Sequence, residues 1–205
     1  LMKTRVLAIW LQLLLAIVPV EIAFGQPADS LSSVSPAVLK RVDQEAEAAL
    51  SRLYLQSRKA QALVARSFGV LVVPALHADG GILGMAYGRG VLIDAVGGRS
   101  YYNAMASPPG SVLGLDGKAL ILFFSNYEAL RAFQAAPGWV EGASGTIQVL
   151  DETAMAGRNL VIEPIAGFIL SDVGLVRGLA LKGILFIKVP VFMCAQENGA
   201  CDAAP

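Results

Sequence analysis

Nineteen of the 21 glycines in this 205-residue chain fall between Gly69 and Gly183, scattered among valine, isoleucine, leucine, phenylalanine and tyrosine. No other feature constrains the fold as tightly. β-Branched and aromatic residues suit the pleated, half-buried surface of a sheet, and glycine is a poor residue inside a helix. Within a strand, glycine marks a bulge, a bend or a close approach of two backbones. The region therefore predicts a strongly curved, glycine-rich antiparallel sheet, a partial barrel, and its scarcity of helical pattern argues against βαβ units. Strands are expected near 69–73, 82–94, 99–106, 111–115, 118–124, 145–150, 160–170 and 176–189. One inserted helix interrupts them. Ser125-Asn-Tyr-Glu128 reads as a capping box, Leu130 and Phe133 carry the apolar side to about Gln134, and Pro137-Gly138 ends it.

Ahead of the sheet the pattern is helical. Ser35-Pro36 combines an N-cap with proline at the first helical position. From there Val38, Leu39, Val42, Ala46, Ala49, Leu50 and Leu53 fall on one side at 3.6 residues per turn, with the charged residues outside that arc. A second helix is expected from Ser57 to Ser67, with Ala60, Leu63 and Val64 on one side and Arg58, Lys59 and Arg66 on the other. The class is thus α+β, with N-terminal amphipathic helices. Six basic and three acidic residues lie between Lys40 and Arg66, the most positive part of the chain. Basic amphipathic helices favour anionic lipid headgroups; a solvated helix face packed on a sheet is the plainer alternative.

The first 25 residues read as an export signal. Lys3 and Arg5 precede an apolar run from Val6 to Val18, Pro19 breaks it, and Ala23-Phe24-Gly25 places small residues where a signal peptidase cuts. The run is shorter than the roughly 20 residues that span a bilayer, which disfavours a permanent anchor without removing an uncleaved one from consideration. No cysteine lies near the cut, so no lipobox is present. Residues 26–34 form a Ser/Pro/Ala-rich linker, 35–190 the domain and 191–205 a tail. Without Lys3, Arg5 and Glu21 the remainder carries 14 basic and 15 acidic groups. Near-neutral charge and 55% hydrophobic residues are ill suited to nucleic acid, whose binding rests on clustered positive charge. The two cysteines, Cys194 and Cys201, sit in the tail, and an oxidising compartment would close them into a disulfide. Their C-x6-C spacing fits neither a thioredoxin-type redox pair nor a zinc site.

Catalytic constellations fail on context. His77, the single histidine, neighbours Asp79, and Ser107 or Ser111 can be imagined as nucleophile, but no nucleophile elbow accompanies them. His77 and Asp79 alone are too few to hold a metal. Gly80-Gly81 and Gly88-Arg-Gly90 lead into Val91-Leu-Ile93, a strand, whereas a phosphate loop needs a helix N-terminus there. Asp151-Glu152 and Asp172 are explained by turn chemistry. No cofactor is called for.

Five stretches in order carry a resemblance: Ala65-Arg-Ser-Phe-Gly69-Val-Leu-Val-Val-Pro74; Gly84-Met-Ala-Tyr-Gly88-Arg-Gly90-Val-Leu92; Tyr101-Tyr-Asn-Ala-Met-Ala-Ser107; Leu122-Phe-Phe-Ser-Asn126-Tyr-Glu-Ala-Leu130; and Gly174-Leu-Val-Arg-Gly178-Leu-Ala-Leu-Lys-Gly183. Together they resemble the SYLF domain family over about residues 37 to 189. The chain departs from it at Pro108-Pro109-Gly110, where relatives place an aromatic and a Gln-containing strand, and at Ala180-Leu-Lys-Gly183, where relatives read Ser-Leu-Glu-Gly. The resemblance implies a non-enzymatic module whose eukaryotic members bind phosphoinositides, and some of them actin. An exported protein meets neither, so anionic phospholipid of the envelope or periplasm is the expected partner. Lys40, Arg41, Arg58, Lys59 and Arg66 are the expected lipid-binding residues. The alternative is a periplasmic structural or protein-interaction module that uses the sheet face or edge.

Overall fold

The computed structural model describes residues 34–78, 85–106, 114–157, 160–179, 181–190, 192–194 and 201–203. The expected signal segment, nearly all of the linker, Asp79, Gly80-Gly81, Ser107 and Ser111 lie outside them. Residues 33–205 form one compact unit. Helix α1 (Pro36–Gln56) and helix α2 (Arg58–Val64) come first, separated by Ser57, whose hydroxyl accepts from the Ala60 N–H and starts α2. α1 buries Leu39, Val42, Ala46, Ala49 and Leu53, the stripe that its periodicity marks. Each fully buried leucine or valine in such a stripe contributes about 1.5–3 kcal/mol relative to exposure.

Strands β1 (Gly69–Val73), β2 (His77–Ala78), β3 (Ala86–Asp94), β4 (Arg99–Ala106) and β5 (Ala119–Phe124) follow. After helix α3 (Tyr127–Ala135) come β6 (Trp139–Val140), β7 (Gln148–Val149), helix α4 (Glu152–Ala156), β8 (Ile165–Ser171), β9 (Gly174–Leu175) and β10 (Leu185–Lys188). They join in the order β6-β10-β4-β3-β1-β5-β8-β7, with β2 beside β3 and β9 beside β8. The path curls into a half-barrel and stays open between β6 and β7. Two glycines of β3 permit the curl. A Cβ on Gly88 would stand 2.6 Å from the Ala75 carbonyl oxygen, and one on Gly90 2.5 Å from that of Val72. Those glycines shape the sheet rather than cradle a phosphate.

Alternation along the strands divides the core in two. Val70, Val72, Val91, Ile121, Phe123 and Phe168 face α1, α2 and α4. Leu71, Leu92, Tyr102, Leu122 and Phe124 face the other way, onto Leu130 and Phe133 of α3. Trp139, isolated in sequence, lies there 5.5 Å from the Phe133 ring and 6.1 Å from that of Phe186.

Several expectations need correction. The sheet is mixed, because β7 runs parallel to β8. Asn126, not Ser125, caps α3: its side chain accepts from the Ala129 N–H, while the Ser125 hydroxyl donates to the carbonyls of Glu163 and Pro164. A second inserted helix, α4, starts at Asp151, whose carboxylate accepts from the Ala154 N–H. The span 176–189 is not one strand. Gly178 and Gly183 adopt φ of 75° and 78°, a conformation that turns the chain and that other residues resist. Gly114-Leu115 is a helical turn rather than strand. In the tail, β11 (Phe192–Cys194) and β12 (Cys201–Ala203) form a separate two-stranded ladder that sets Cys194 opposite Cys201.

Candidate functional site

The five basic residues expected to bind lipid are carried by α1, by α2 and by the turn that follows α2. Lys40 and Arg41 stand near the start of α1, and roughly 22 Å of that helix, at 1.5 Å per residue, follows Arg41 before Ser57 breaks the chain ahead of Arg58. α1 itself is neutral, with Lys40, Arg41 and Arg52 against Asp43, Glu45 and Glu47. Much of that charge is internally engaged: Arg52 pairs with Asp172 at 3.1 Å, and Arg99 bridges to Asp43 at 2.9 Å and Glu47 at 3.1 Å. From Ser57 to Phe68, by contrast, the chain carries Arg58, Lys59 and Arg66 and no acid. Lys59 donates to the Met155 carbonyl at 3.0 Å and ties α2 to α4. Arg58 and Arg66 are exposed.

Beyond Arg66 the chain reaches one rim of the sheet, where Gly69 pairs with both Asp94 and Phe124. Phe68 is held there by backbone bonds: its N–H donates to the Phe124 carbonyl and its carbonyl accepts from the Ala95 N–H. That second bond places the β3–β4 turn, with Val96 at its tip, beside Phe68. Tyr127 opens α3 on the same rim, its ring 6.3 Å from Phe68, and the Arg131 guanidinium lies 5.9 Å from the Tyr127 ring centre. Phe68, Tyr127 and Val96 are 43%, 55% and 92% exposed. Phe68, Tyr127 and Val96 thus stand exposed on one rim, with Arg131 beside Tyr127 and Arg66 two residues before Phe68. Asp94 at the end of β3 and Glu128 of α3 are acids on the same rim. Sequence reading missed Phe68, Val96, Tyr127 and Arg131 because their meeting depends on strand register.

A concave feature lies elsewhere, between the N-terminal half of α1 and the β3–β4 hairpin, a groove of ≈ 420 Å³. Val38, Arg41, Val42 and Glu45 form its helix wall; Tyr87, Arg89, Asn103 and Met105 form its sheet wall; Pro74 and His77 close one end. Arg89 and Asn103 are directly opposite in the β3–β4 ladder, and the Arg89 Nε–H donates to Asn103 Oδ1 at 3.0 Å. His77 sits opposite Tyr87 with ring centres 5.8 Å apart. Of the five expected residues only Arg41 lines this groove. A periodicity of two within β3 was the available signal, since Tyr87 and Arg89 share the face that Val91 continues.

Titration is perturbed where α1 meets β4. Burial, then the hydrogen bond that its hydroxyl donates to Asp43, raises Tyr101 above the usual phenol range, and the bond to Glu47 raises Arg99. Tyr102, in the core below α3, is pushed up to about 12 by burial. Among the described residues no cluster of three or more metal-ligating side chains occurs, and no helix is long and apolar enough to cross a membrane. Comparison with models of known protein families and with curated proteins finds no match for this chain.

Proposed function

We propose that this chain is an exported envelope protein of the SYLF type, acting by binding and docking reversibly on anionic phospholipid. The observation that carries the reading is the rim where Phe68, Val96 and Tyr127 stand exposed with Arg131 beside Tyr127 and the exposed Arg66 two residues before Phe68. Aromatic side chains prefer the membrane–water interface, and each cation near an anionic leaflet contributes about 1 kcal/mol. Burying the exposed 43% of Phe68 in the acyl boundary adds about 1 kcal/mol. Contributions of this size give reversible attachment rather than permanent anchoring. Relative to the five basic residues expected from sequence, the proposal moves the contact from α1 toward Arg58, Arg66 and the rim, because α1 is neutral. Export, supported by the N-terminal segment, belongs to the same proposal, as does a Cys194–Cys201 disulfide.

Co-sedimentation of residues 26–205, which hold the whole compact unit, with vesicles tests it. Neutral phosphatidylcholine is compared with vesicles containing phosphatidylglycerol or cardiolipin, at low and high salt. Binding is expected on anionic vesicles only, weakened by salt, lost in Arg58→Ala/Arg66→Ala and in Phe68→Ala/Tyr127→Ala, and unchanged in Lys40→Ala. Equal failure on every vesicle would reject lipid and turn attention to a protein partner on the same patch or on the sheet edges.

A further inference from the structure

The geometry points to a second, separate binding site: the groove between α1 and the β3–β4 hairpin takes a small single-chain amphiphile with a monoanionic head, a fatty carboxylate. The site stands independently of the membrane surface, which lies at the other end of the strands.

The argument begins with Arg89. A guanidinium offers five N–H donors in a rigid fork, and this one is half-buried on a sheet face beneath a helix. Among the described residues it makes one hydrogen bond, to Asn103, which fixes its plane from the opposite strand. The ion pairs of the described residues are Arg52–Asp172, Arg99–Asp43 and Arg99–Glu47, so neither Arg89 nor Arg41 is neutralised by one. Among the described residues, two guanidiniums and one carboxylate, Glu45, line the groove, and a single negative charge balances them. A carboxylate matches the fork bidentately. The Glu45 carboxylate opposes a second negative charge on the ligand, which disfavours phosphomonoesters.

The remaining walls supply the tail's environment. Val38 and Val42 face Tyr87 and Met105 across the cleft, with Pro74 at its end. A few placed polar groups on a mostly apolar concave wall are the usual make-up of a small-molecule site, and ≈ 420 Å³ falls within the usual size range of about 300–1,000 Å³.

Titration calorimetry of residues 26–205 with octanoate, a soluble probe, tests the assignment. Acetate, which has the head without the tail, and octanol, which has the tail without the head, are each expected to bind at least about tenfold more weakly. Arg89→Gln, which keeps a donor for Asn103, and Arg41→Gln should each weaken octanoate about tenfold, while Arg177→Gln, exposed and outside both surfaces, should not change it. In the unaltered protein, the Arg89 Nε–H resonance should shift on adding octanoate, a readout that requires no variant to fold. Octanol binding as well as octanoate, undiminished affinity in both groove variants, or a stationary Arg89 signal would each overturn the proposal.

Discussion

Arg99 reaches from the start of β4 to Asp43 of α1, its Nη1 standing 2.9 Å from Asp43 Oδ2, and its Nη2 meets Glu47 one turn on. Tyr101 donates its hydroxyl to the same Asp43 oxygen at 3.1 Å. These contacts hold the first half of α1 over β4, while Arg52 and Asp172 hold its last turn near the β8–β9 connection. The helix therefore crosses the strands instead of running along them, and the groove lies on the flank away from Arg99.

Removing the clamp has a defined cost. Arg99→Ala leaves the mostly buried Asp43 carboxylate with the Tyr101 hydroxyl alone, and is expected to lower stability by about 1–2 kcal/mol, between the values of exposed and buried pairs. Urea unfolding measures it. Arg52→Ala, whose partner Asp172 is 92% exposed, should change the midpoint far less.

Tyr102 should make the protein sensitive to alkali. Its hydroxyl is buried with no hydrogen-bond partner among the described residues, and its folded pKa of about 12 exceeds the unfolded value near 10. The unfolded chain therefore releases this proton first. The stabilisation is intact below about pH 10 and is lost as pH rises through about 12, at up to about 1.4 kcal/mol per pH unit. Tyr102→Phe is expected to be neutral or stabilising by about 1 kcal/mol at neutral pH. It should also shallow the alkaline slope, to which Tyr54 and Tyr101, both raised, still contribute.

Gly90→Ala places a methyl group 2.5 Å from the Val72 carbonyl oxygen and 2.8 Å from Val73 Cγ2. Backbone on a central strand yields little, so a loss of about 2–3 kcal/mol is expected. Gly157→Ala, whose added carbon would meet the Ala154 carbonyl oxygen at 3.4 Å, should stay within about 0.5 kcal/mol. Denaturant midpoints of the two variants measure the difference.

The tail ladder sets Cys194 opposite Cys201. Protein recovered from an oxidising compartment is expected to show no free thiol, folded or denatured, and two after reduction. Reduction should cost about 2 kcal/mol for so short a loop. Two free thiols in the unreduced, denatured chain would exclude the bond.

Much of this molecule is determined by neighbours in sequence. Ser35-Pro36 and the stripe from Leu39 to Leu53 specify α1, and the unbroken apolar run of β1 specifies a strand buried on both faces, because caps and periodicity act within a few residues. The same locality explains the misreadings. Ser125 and Asn126 are both competent caps, and only the Glu163–Pro164 backbone, which accepts from Ser125, leaves the cap to Asn126. Gly178 and Gly183 read alike as strand bends or as turns until their φ values are known. Other relationships belong to tertiary structure alone: Trp139 against Phe133 and Phe186, β7 parallel to β8, Arg89 beside Asn103, and Phe68 beside Val96 and Tyr127. Each joins residues from separate elements, and its existence depends on strand order and register. Those are set by how two core layers close over a sheet bent at its glycines, a long-range property that no local window of sequence contains.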